Sequence, residues 1–183
     1  ELEKLIQKEM QDMGFLDTQF AFQFQKKKEI TEKGFDEVES FVSLNPGEPL
    51  RALREVGSGG ELSRIMLSIK TVLADTDAVP TLIFDEIDTG ISGRTAEKVG
   101  EKLQKIAAKH QVILITHLPQ IAAKADRHFL IEKNVVDGKT KTEIHALSEE
   151  ESVKELARLL GGKDLTEEAL QNARSLKKKA ERK

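Results

Sequence analysis

The chain has 183 residues, with 29 Lys and Arg against 32 Asp and Glu, which gives a net charge of −3 at pH 7. This length suits one globular domain, and the near-neutral charge argues against a protein that coats nucleic acid by bulk charge. No run reaches the roughly 20 apolar residues of a membrane span. Cysteine is absent, which excludes disulfides, thiolate zinc sites and cysteine nucleophiles. We therefore expect a cytoplasmic protein without a membrane partner and, because the chain does not begin with Met, a fragment.

A helix is predicted at the start of the chain, over residues 1–13. Charged residues separate five apolar ones that recur at helical spacing: Leu2, Leu5, Ile6, Met10 and Met13. Gly14 ends this helix. No capping residue precedes it, so we expect its true start to lie further upstream.

Two strands, expected to be antiparallel, are predicted next. The first runs over residues 18–25, where three rings alternate with small or polar residues: Phe20, Phe22 and Phe24. We interpret these rings as sheet core and the lysine block at 26–28 as a solvated strand end. The second strand runs over residues 37–44, and two prolines and a glycine in the segment 45–49 end it.

The middle of the chain alternates between helices and short apolar strands. A helix over 61–74 carries an apolar stripe of Leu62, Ile65, Met66, Ile69 and Leu73, and a helix over 94–109 carries one of Ala96, Val99, Leu103 and Ile106. Apolar runs predict strands over 82–84 and 112–115. This alternation predicts an α/β fold with a mostly parallel sheet that helices cover on both faces.

The last third of the chain predicts a β-hairpin and two helices. Strands over 128–133 and 140–147 flank Asp137-Gly138, a common hairpin turn. The helices are predicted over 149–160 and from residue 166 onward. We interpret the basic residues at the C-terminus as a solvated helix end.

Glycines immediately precede the helix over 61–74, in the segment Gly57-Ser58-Gly59-Gly60. The uncovered N–H groups at a helix start carry partial positive charge and form an anion site, to which the Ser58 hydroxyl adds a donor. A plain tight turn remains an open alternative, because Gly-Gly turns before helices are common.

Polar side chains follow both strands of the middle region. Asp85 and Glu86 follow the strand over 82–84, where Asp85 is a candidate Mg²⁺ ligand and Glu86 a candidate base for a water. His117 follows the strand over 112–115. Each has a plainer alternative, since acids at a strand end also simply reach solvent and a lone histidine is usually structural. We interpret the other histidines as surface or structural residues: His110, His128 and His145.

The spacing of these three segments favours a shared site. Ser58 and Asp85 are 27 positions apart, and Glu86 and His117 are 31 apart. Each gap is about the length of one strand–helix unit. All three segments are therefore expected at one edge of a single sheet.

Taken together, these segments resemble the motifs of ABC-type ATPases. Residues 58–61 (Ser-Gly-Gly-Glu) are similar to the signature motif, 82–86 to the Walker B strand, 87–90 to the D-loop, and His117 to the switch histidine. The sequences of residues 85–93, 45–50 and 116–120 are similar to those of an SMC-like family of bacterial DNA repair proteins.

The resemblance implies an ATPase whose two heads clamp two ATP molecules, acting in recombinational repair of DNA double-strand breaks. Residues Ser58, Gly59, Gly60 and Glu61 of one head would contact the nucleotide held by the other. Within one head the implied roles are Mg²⁺ binding by Asp85, activation of water by Glu86, contact with the γ-phosphate by His117, and communication across the dimer by Asp88. The implied location is cytoplasmic and associated with the nucleoid.

No phosphate loop of the form Gly-x-x-x-x-Gly-Lys-Ser/Thr occurs in the chain. Its nearest match, at 161–164, has Asp where the Mg²⁺-binding hydroxyl belongs. The resemblance implies that this loop lies in the N-terminal half of the head, beyond a long coiled coil. We therefore expect residues 1–13 to end the coiled coil and 14–183 to form the C-terminal lobe. Expected partners are the N-terminal half of the same head, a second head and DNA; alone, the chain should not hydrolyse ATP.

Two alternative functions remain at this point. One is the nucleotide-binding domain of an ABC transporter, which shares these motifs but normally carries its phosphate loop upstream in the same chain. The other is an interaction module that keeps the fold and binds no nucleotide. Retention of Glu86 and His117 favours an ATPase over this module.

Overall fold

A computed structural model describes residues 1–136, 139–162 and 165–181, in two compact units formed by residues 1–115 and 116–183. The first unit contains α1 (Leu2–Asp12), β1 (Gln19–Thr31), β2 (Gly34–Ser43), β3 (Arg51–Ala52), α2 (Gly59–Leu73), β4 (Thr81–Phe84), α3 (Gly93–Ala107) and β5 (Gln111–Leu114). The second contains α4 (Pro119–Ala122), β6 (Phe129–Val136), β7 (Lys139–Ala146), α5 (Glu149–Gly161) and α6 (Glu167–Glu181). None of these described helices is long and apolar enough to cross a membrane.

Every helix and strand predicted from the sequence is present, with bounds that differ by a few residues. Among the described residues, three short elements were not predicted, because each has too few residues for a periodic pattern. They are β3 with two residues, a 3-10 helix Leu53–Glu55 with three, and α4 with four. The predicted turn Asp137-Gly138 lies outside the described residues. The strands on either side of it pair antiparallel, with Val136 opposite Lys139.

β1 and β2 form a long antiparallel hairpin, and β3 pairs with β2. β1 continues to Thr31, so the lysine block at 26–28 lies within the strand. Phe20 is buried and Phe22 is half-buried, but Phe24 is 68% exposed. The prediction that all three rings are core is wrong for Phe24, because nearly every residue of the hairpin beyond Phe22 is exposed on both faces.

β4 and β5 pair in parallel, with Ile83 opposite Ile113, as the alternation of helices and strands predicts. The other strand pairs of the described residues are antiparallel. Leu82 is buried on one face of the parallel pair, whereas Ile83 is 73%, Ile113 46% and Ile115 57% exposed on the other. The predicted cover on both faces is therefore incomplete in the part of the chain that is described.

α1 contacts α3 through ion pairs as well as apolar packing. Lys102 Nζ lies 2.6 Å from Glu9 Oε2 and 3.1 Å from Asp12 Oδ2, and Lys98 Nζ lies 3.0 Å from Asp12 Oδ1. The hydrogen bond from Lys98, with that from Lys102, holds the pKa of the Asp12 carboxyl below its ordinary value. Such partly exposed pairs contribute up to about 1 kcal/mol each. The apolar contacts of this helix are made by residues that are fully buried: Ile6, Met10 and Met13.

The buried face of α2 differs from the predicted apolar stripe. Of that stripe only Ile65 is fully buried, and the innermost positions are instead small or polar: Gly60, Arg64, Ser68 and Thr71, beside Leu67. Ser68 Oγ donates to the Arg64 carbonyl at 2.9 Å and Thr71 Oγ1 to the Leu67 carbonyl at 2.8 Å. Because these hydroxyls are hydrogen-bonded within the helix, they can be buried without an unpaired polar group. Their small size allows α2 to approach its neighbours closely.

The second unit has a small core between α4, α5 and α6. Its fully or nearly buried members are Ala122, Ala123, Leu156, Ala157 and Ala173. A capping box begins α5, in which Ser148 N donates to Glu151 Oε2 at 2.8 Å and Glu151 N donates to Ser148 Oγ at 3.4 Å.

We predict that the exposed face of the β4–β5 pair causes the isolated chain to self-associate, since an uncovered apolar sheet face is a contact surface. Ile83→Lys is expected to reduce this association in sedimentation velocity runs. Leu16→Lys is the matched control, because Leu16 is 84% exposed in the same unit but outside this face. A monomer at high concentration, or equal effects of the two variants, would contradict the prediction.

His128 is expected to make the second unit sensitive to acid. Its Nδ1 lies 2.9 Å from Ser152 Oγ, and burial lowers the pKa of its ring, opposed by Glu155 and assisted by Lys177. The unfolded chain therefore binds a proton at His128 more readily than the folded chain does. The stability that the neutral ring contributes is fully present above about pH 6.5 and is lost as the pH falls towards the folded pKa. His128→Gln should shrink the drop in melting temperature between pH 7.5 and pH 5.5. The exposed His145→Gln should leave that drop unchanged, and an equal drop in all three proteins would refute the assignment.

Candidate functional site

The first turn of α2 has the geometry expected of an anion site. Ser58 is the N-cap residue in an extended conformation, and its Oγ accepts a hydrogen bond from Glu61 N at 3.4 Å. Gly59 is exposed and Gly60 is buried. The Ser58 cap satisfies one amide of the turn, and the exposed Gly59 lies at the positively polarised end of the helix.

The segment 85–90, which we call the acidic loop, follows β4. Glu86 has a φ of +55°, a left-handed conformation that is uncommon outside glycine. Its N–H donates to Asp85 Oδ1 at 2.9 Å, and its carbonyl accepts from Thr89 N at 3.0 Å. The Asp85 and Glu86 side chains are exposed, while Asp88 is only 4% exposed. The loop thus presents its first two carboxylates to solvent and keeps the third inside the unit.

The first turn of α2 packs directly on the acidic loop. A methyl group built on Gly60 would lie 2.8 Å from the Glu86 carbonyl oxygen and 2.9 Å from Thr89 Cβ. One built on Gly59 would lie 2.5 Å from Glu86 Oε2. Only glycine fits both positions without a shift of the loop or of the Glu86 side chain. The structure therefore brings together Ser58, Gly59, Gly60, Asp85 and Glu86, as the spacing of the motifs predicts.

Two side chains of α2 that sequence reasoning missed also hold the acidic loop. Ser63 Oγ donates to the Asp85 carbonyl at 2.8 Å, and Arg64 Nη1 donates to the carbonyls of Ile87 and Thr89 at 3.3 and 2.7 Å. Burial lowers the pKa of the Arg64 guanidinium, and the nearby Glu61 carboxylate opposes this. An arginine within an otherwise amphipathic helix was the available signal, but its partners lie more than 20 residues away in the chain.

Phe15, in the turn after α1, completes the surroundings of Arg64. The Arg64 guanidinium carbon lies 5.4 Å from the centre of the Phe15 ring, within the range of a cation–π interaction. Phe15 itself is 7% exposed. Through this one buried side chain, α2 contacts both the acidic loop and the turn that follows α1.

His117 lies in the second unit and is exposed. The residues around it form a turn in which Leu118 N donates to Thr116 Oγ1 at 3.1 Å. Its place beside Glu86 stays a prediction. The buried His110, with Nδ1 2.8 Å from the Val79 carbonyl, and the half-buried His128 have the structural surroundings expected of them.

Asp85 is the residue of the acidic loop best placed to hold a cation, since it is exposed at the carboxyl end of β4. Among the described residues there is no group of three or more histidine or acidic side chains that would cage a metal alone. The single exposed Asp85 carboxylate suits Mg²⁺, which is usually held by one or two carboxylates together with substrate phosphates and water. A closed structural metal site is not supported there.

No family model matches the chain, but several curated proteins do. It is 43% identical over 180 residues to the DNA repair protein RecN of Halalkalibacterium halodurans, covering 96% of this chain and 32% of the relative. Identity to RecN of Vibrio cholerae is 44% over 177 residues, with the same two coverages, and to RecN of Bacillus subtilis 46% over 153 residues, covering 84% and 27%. The chain thus spans about a third of the relatives it matches, and the predicted resemblance is confirmed.

Solved structures with a similar fold are heads of Smc proteins. One is the Smc head domain with a coiled coil and joint from Pyrococcus yayanosii, with a TM-score of 0.59, 21% identity, and coverage of 85% of this chain and 28% of that one. Another, from Pyrococcus furiosus, has an extended coiled coil and is bound to the C-terminal domain of ScpA. Its TM-score is 0.52 at 19% identity, covering 79% and 34%. At these identities the likeness establishes the α/β fold of an SMC head.

We predict that Gly60→Ala lowers the free energy of unfolding by about 1–3 kcal/mol, because the new methyl group overlaps backbone of the acidic loop. Gly59→Ala is the matched control, since it adds the same methyl group one residue earlier and meets only the movable end of the Glu86 side chain. Its expected effect is within about 0.5 kcal/mol. Urea unfolding of both variants measures the difference, and equal stabilities would disprove the close packing.

Proposed function

Because the chain matches RecN over nearly all of its length and has the fold of an SMC head, we propose that it is the C-terminal lobe of the head of a DNA repair ATPase. The observation that carries this proposal is the contact between a glycine-capped helix start and the Asp85-Glu86 loop. One element offers amides to an anion and the other offers carboxylates to a metal and a water. These are the groups that phosphoryl transfer to water requires.

In the proposed reaction each carboxylate has a separate task. Asp85 would hold Mg²⁺, and the metal would neutralise charge on the phosphates. Glu86 orients the attacking water and accepts its proton. His117 donates to the γ-phosphate, and Asp88, whose side chain is buried, helps communicate between the two heads of the dimer.

The helix start of one head serves the nucleotide of a second head in this proposal. Within one chain, Glu86 Oε2 already lies against Gly59, and the Glu86 carbonyl lies against Gly60. The resemblance to ABC-type ATPases implies that Ser58, Gly59, Gly60 and Glu61 contact the γ-phosphate held by the partner head, where their positive end stabilises charge without a mobile cation.

The wider assignments follow from the same proposal. The phosphate loop is supplied by the N-terminal half of the head, α1 is the end of a coiled coil, and the dimer of heads closes around ATP and acts on DNA. We place the protein in the cytoplasm, associated with the nucleoid, in recombinational repair of double-strand breaks. The relatives named above are DNA repair proteins rather than transporter subunits, so the transporter alternative is not favoured.

The ATPase proposal is tested by turnover in the full-length protein that contains this chain. Glu86→Gln, which keeps the shape of the side chain, should lower kcat by at least about 100-fold because the base for water is lost. The isolated chain should show no phosphate release above buffer. Glu55→Gln is a control at an exposed carboxylate outside the acidic loop, and it should keep full activity.

Two results would overturn this proposal. Turnover by the full-length Glu86→Gln protein equal to that of the unmodified one would exclude Glu86 as the base. ATP binding and turnover both absent from the full-length protein would favour the interaction module.

A further inference from the structure

Ser63 and Arg64 make a regular pattern of hydrogen bonds to the acidic loop. These two consecutive residues of α2 donate to the carbonyl oxygens of residues 85, 87 and 89, which are alternate positions. The loop between these bonds contains Glu86 in its left-handed conformation. A non-glycine residue is kept in that conformation only when its surroundings hold it.

The bonds from Arg64 are difficult to replace. Its side chain is 6% exposed, and its Nε is buried without a hydrogen-bond partner among the described residues. Burial of an arginine with an unsatisfied nitrogen costs stability. An apolar residue would fill the same space next to Phe15 but would leave the Ile87 and Thr89 carbonyls without the donor that Arg64 supplies, so the guanidinium is explained by its hydrogen bonds to the loop.

We infer that Ser63 and Arg64 are positioning residues, which fix the backbone of the acidic loop so that the Glu86 carboxylate faces the attacking water. This inference rests on the proposed function, because it assigns Glu86 its task. Neither residue touches substrate in this arrangement. They act on Glu86 from opposite sides, Ser63 through the Asp85 carbonyl before it and Arg64 through the two carbonyls after it.

The hydrogen bonds that Ser63 and Arg64 make to the acidic loop, which we call the clamp, also connect the loop to the turn after α1. Phe15 lies three residues after the end of α1, and its ring lies against the guanidinium that donates to the Ile87 and Thr89 carbonyls. A displacement of the turn at Phe15 would alter the setting of Arg64 and, through it, the loop. Substitutions at Ser63 should therefore lower kcat by releasing the Asp85 carbonyl directly. Phe15→Leu should lower kcat indirectly, by changing the position of Arg64.

The test is steady-state ATP turnover by the full-length protein, with kcat and KM measured separately. Ser63→Ala should lower kcat by about 3–10-fold and Arg64→Met by about 10–100-fold, because misplacing a reacting group costs rate even when the group is retained. KM for ATP should change by less than about twofold, since nucleotide binding is left to other groups. Ser63→Thr, which keeps the hydroxyl, should restore kcat.

Two controls separate positioning from general destabilisation. Ile65→Val trims a fully buried side chain of the same helix that cannot hold a carbonyl, and it should leave kcat unchanged. Hydrogen exchange of the amides at 86–90 should be faster in Arg64→Met than in the unmodified protein, whether or not ATP is turned over. Should Arg64→Met fail to fold, the partly exposed Ser63 pair of variants still decides the question.

The outcomes distinguish this inference from the proposed function. Loss of turnover in Glu86→Gln with kcat unchanged in Ser63→Ala and Arg64→Met would overturn the positioning role alone. Unchanged exchange at 86–90 in Arg64→Met would overturn it as well. Full turnover in Glu86→Gln would overturn the proposed function, and faster exchange in Arg64→Met would then still support the clamp on the loop.

Discussion

The close approach of α2 to the acidic loop is the constraint on which the rest of the site depends. Gly60 admits the Glu86 carbonyl, and Arg64 satisfies two further carbonyls that the approach buries. Without glycine the helix start would stand away from the loop, and without the arginine the loop would contain unpaired carbonyl oxygens in a buried place. The helix start and the loop with the two carboxylates are therefore held together. Groups whose positions are fixed in advance are what electrostatic catalysis would require of the proposed site.

The elements and the candidate residues were predictable from the sequence because both are local patterns. The stripe from Ala96 to Ile106 gives α3, and a three-residue apolar run followed by two acids gives β4 and the start of the loop. Packing between distant segments was not predictable. The sequence does not indicate that the buried positions of α2 are small or polar. Some of these residues pack against the acidic loop, which lies more than 20 residues later in the chain. The left-handed Glu86 and the exposed Phe24 likewise depend on what is, or is not, packed against them.

The proposed division of the site between two heads agrees with this packing. In one chain the Glu86 side chain lies against the start of α2. In the proposed pair of heads, each helix start would face the nucleotide of its partner. The chain spans about a third of its RecN relatives, and we propose that the phosphate loop lies in the remaining part. The exposed face of β4–β5 is consistent with a lobe that is covered by other parts of a larger protein.

Mixing two inactive full-length proteins tests the shared site most directly. Ser58→Arg blocks the helix start and keeps Glu86, whereas Glu86→Gln keeps the helix start. In a mixed dimer one of the two sites would contain Glu86 from the first protein and an intact helix start from the second. Equal mixing should restore about one quarter of the unmodified turnover, since half of the dimers are mixed and each of these has one complete site out of two. No recovery, from proteins shown to exchange subunits, would contradict a site composed of two heads.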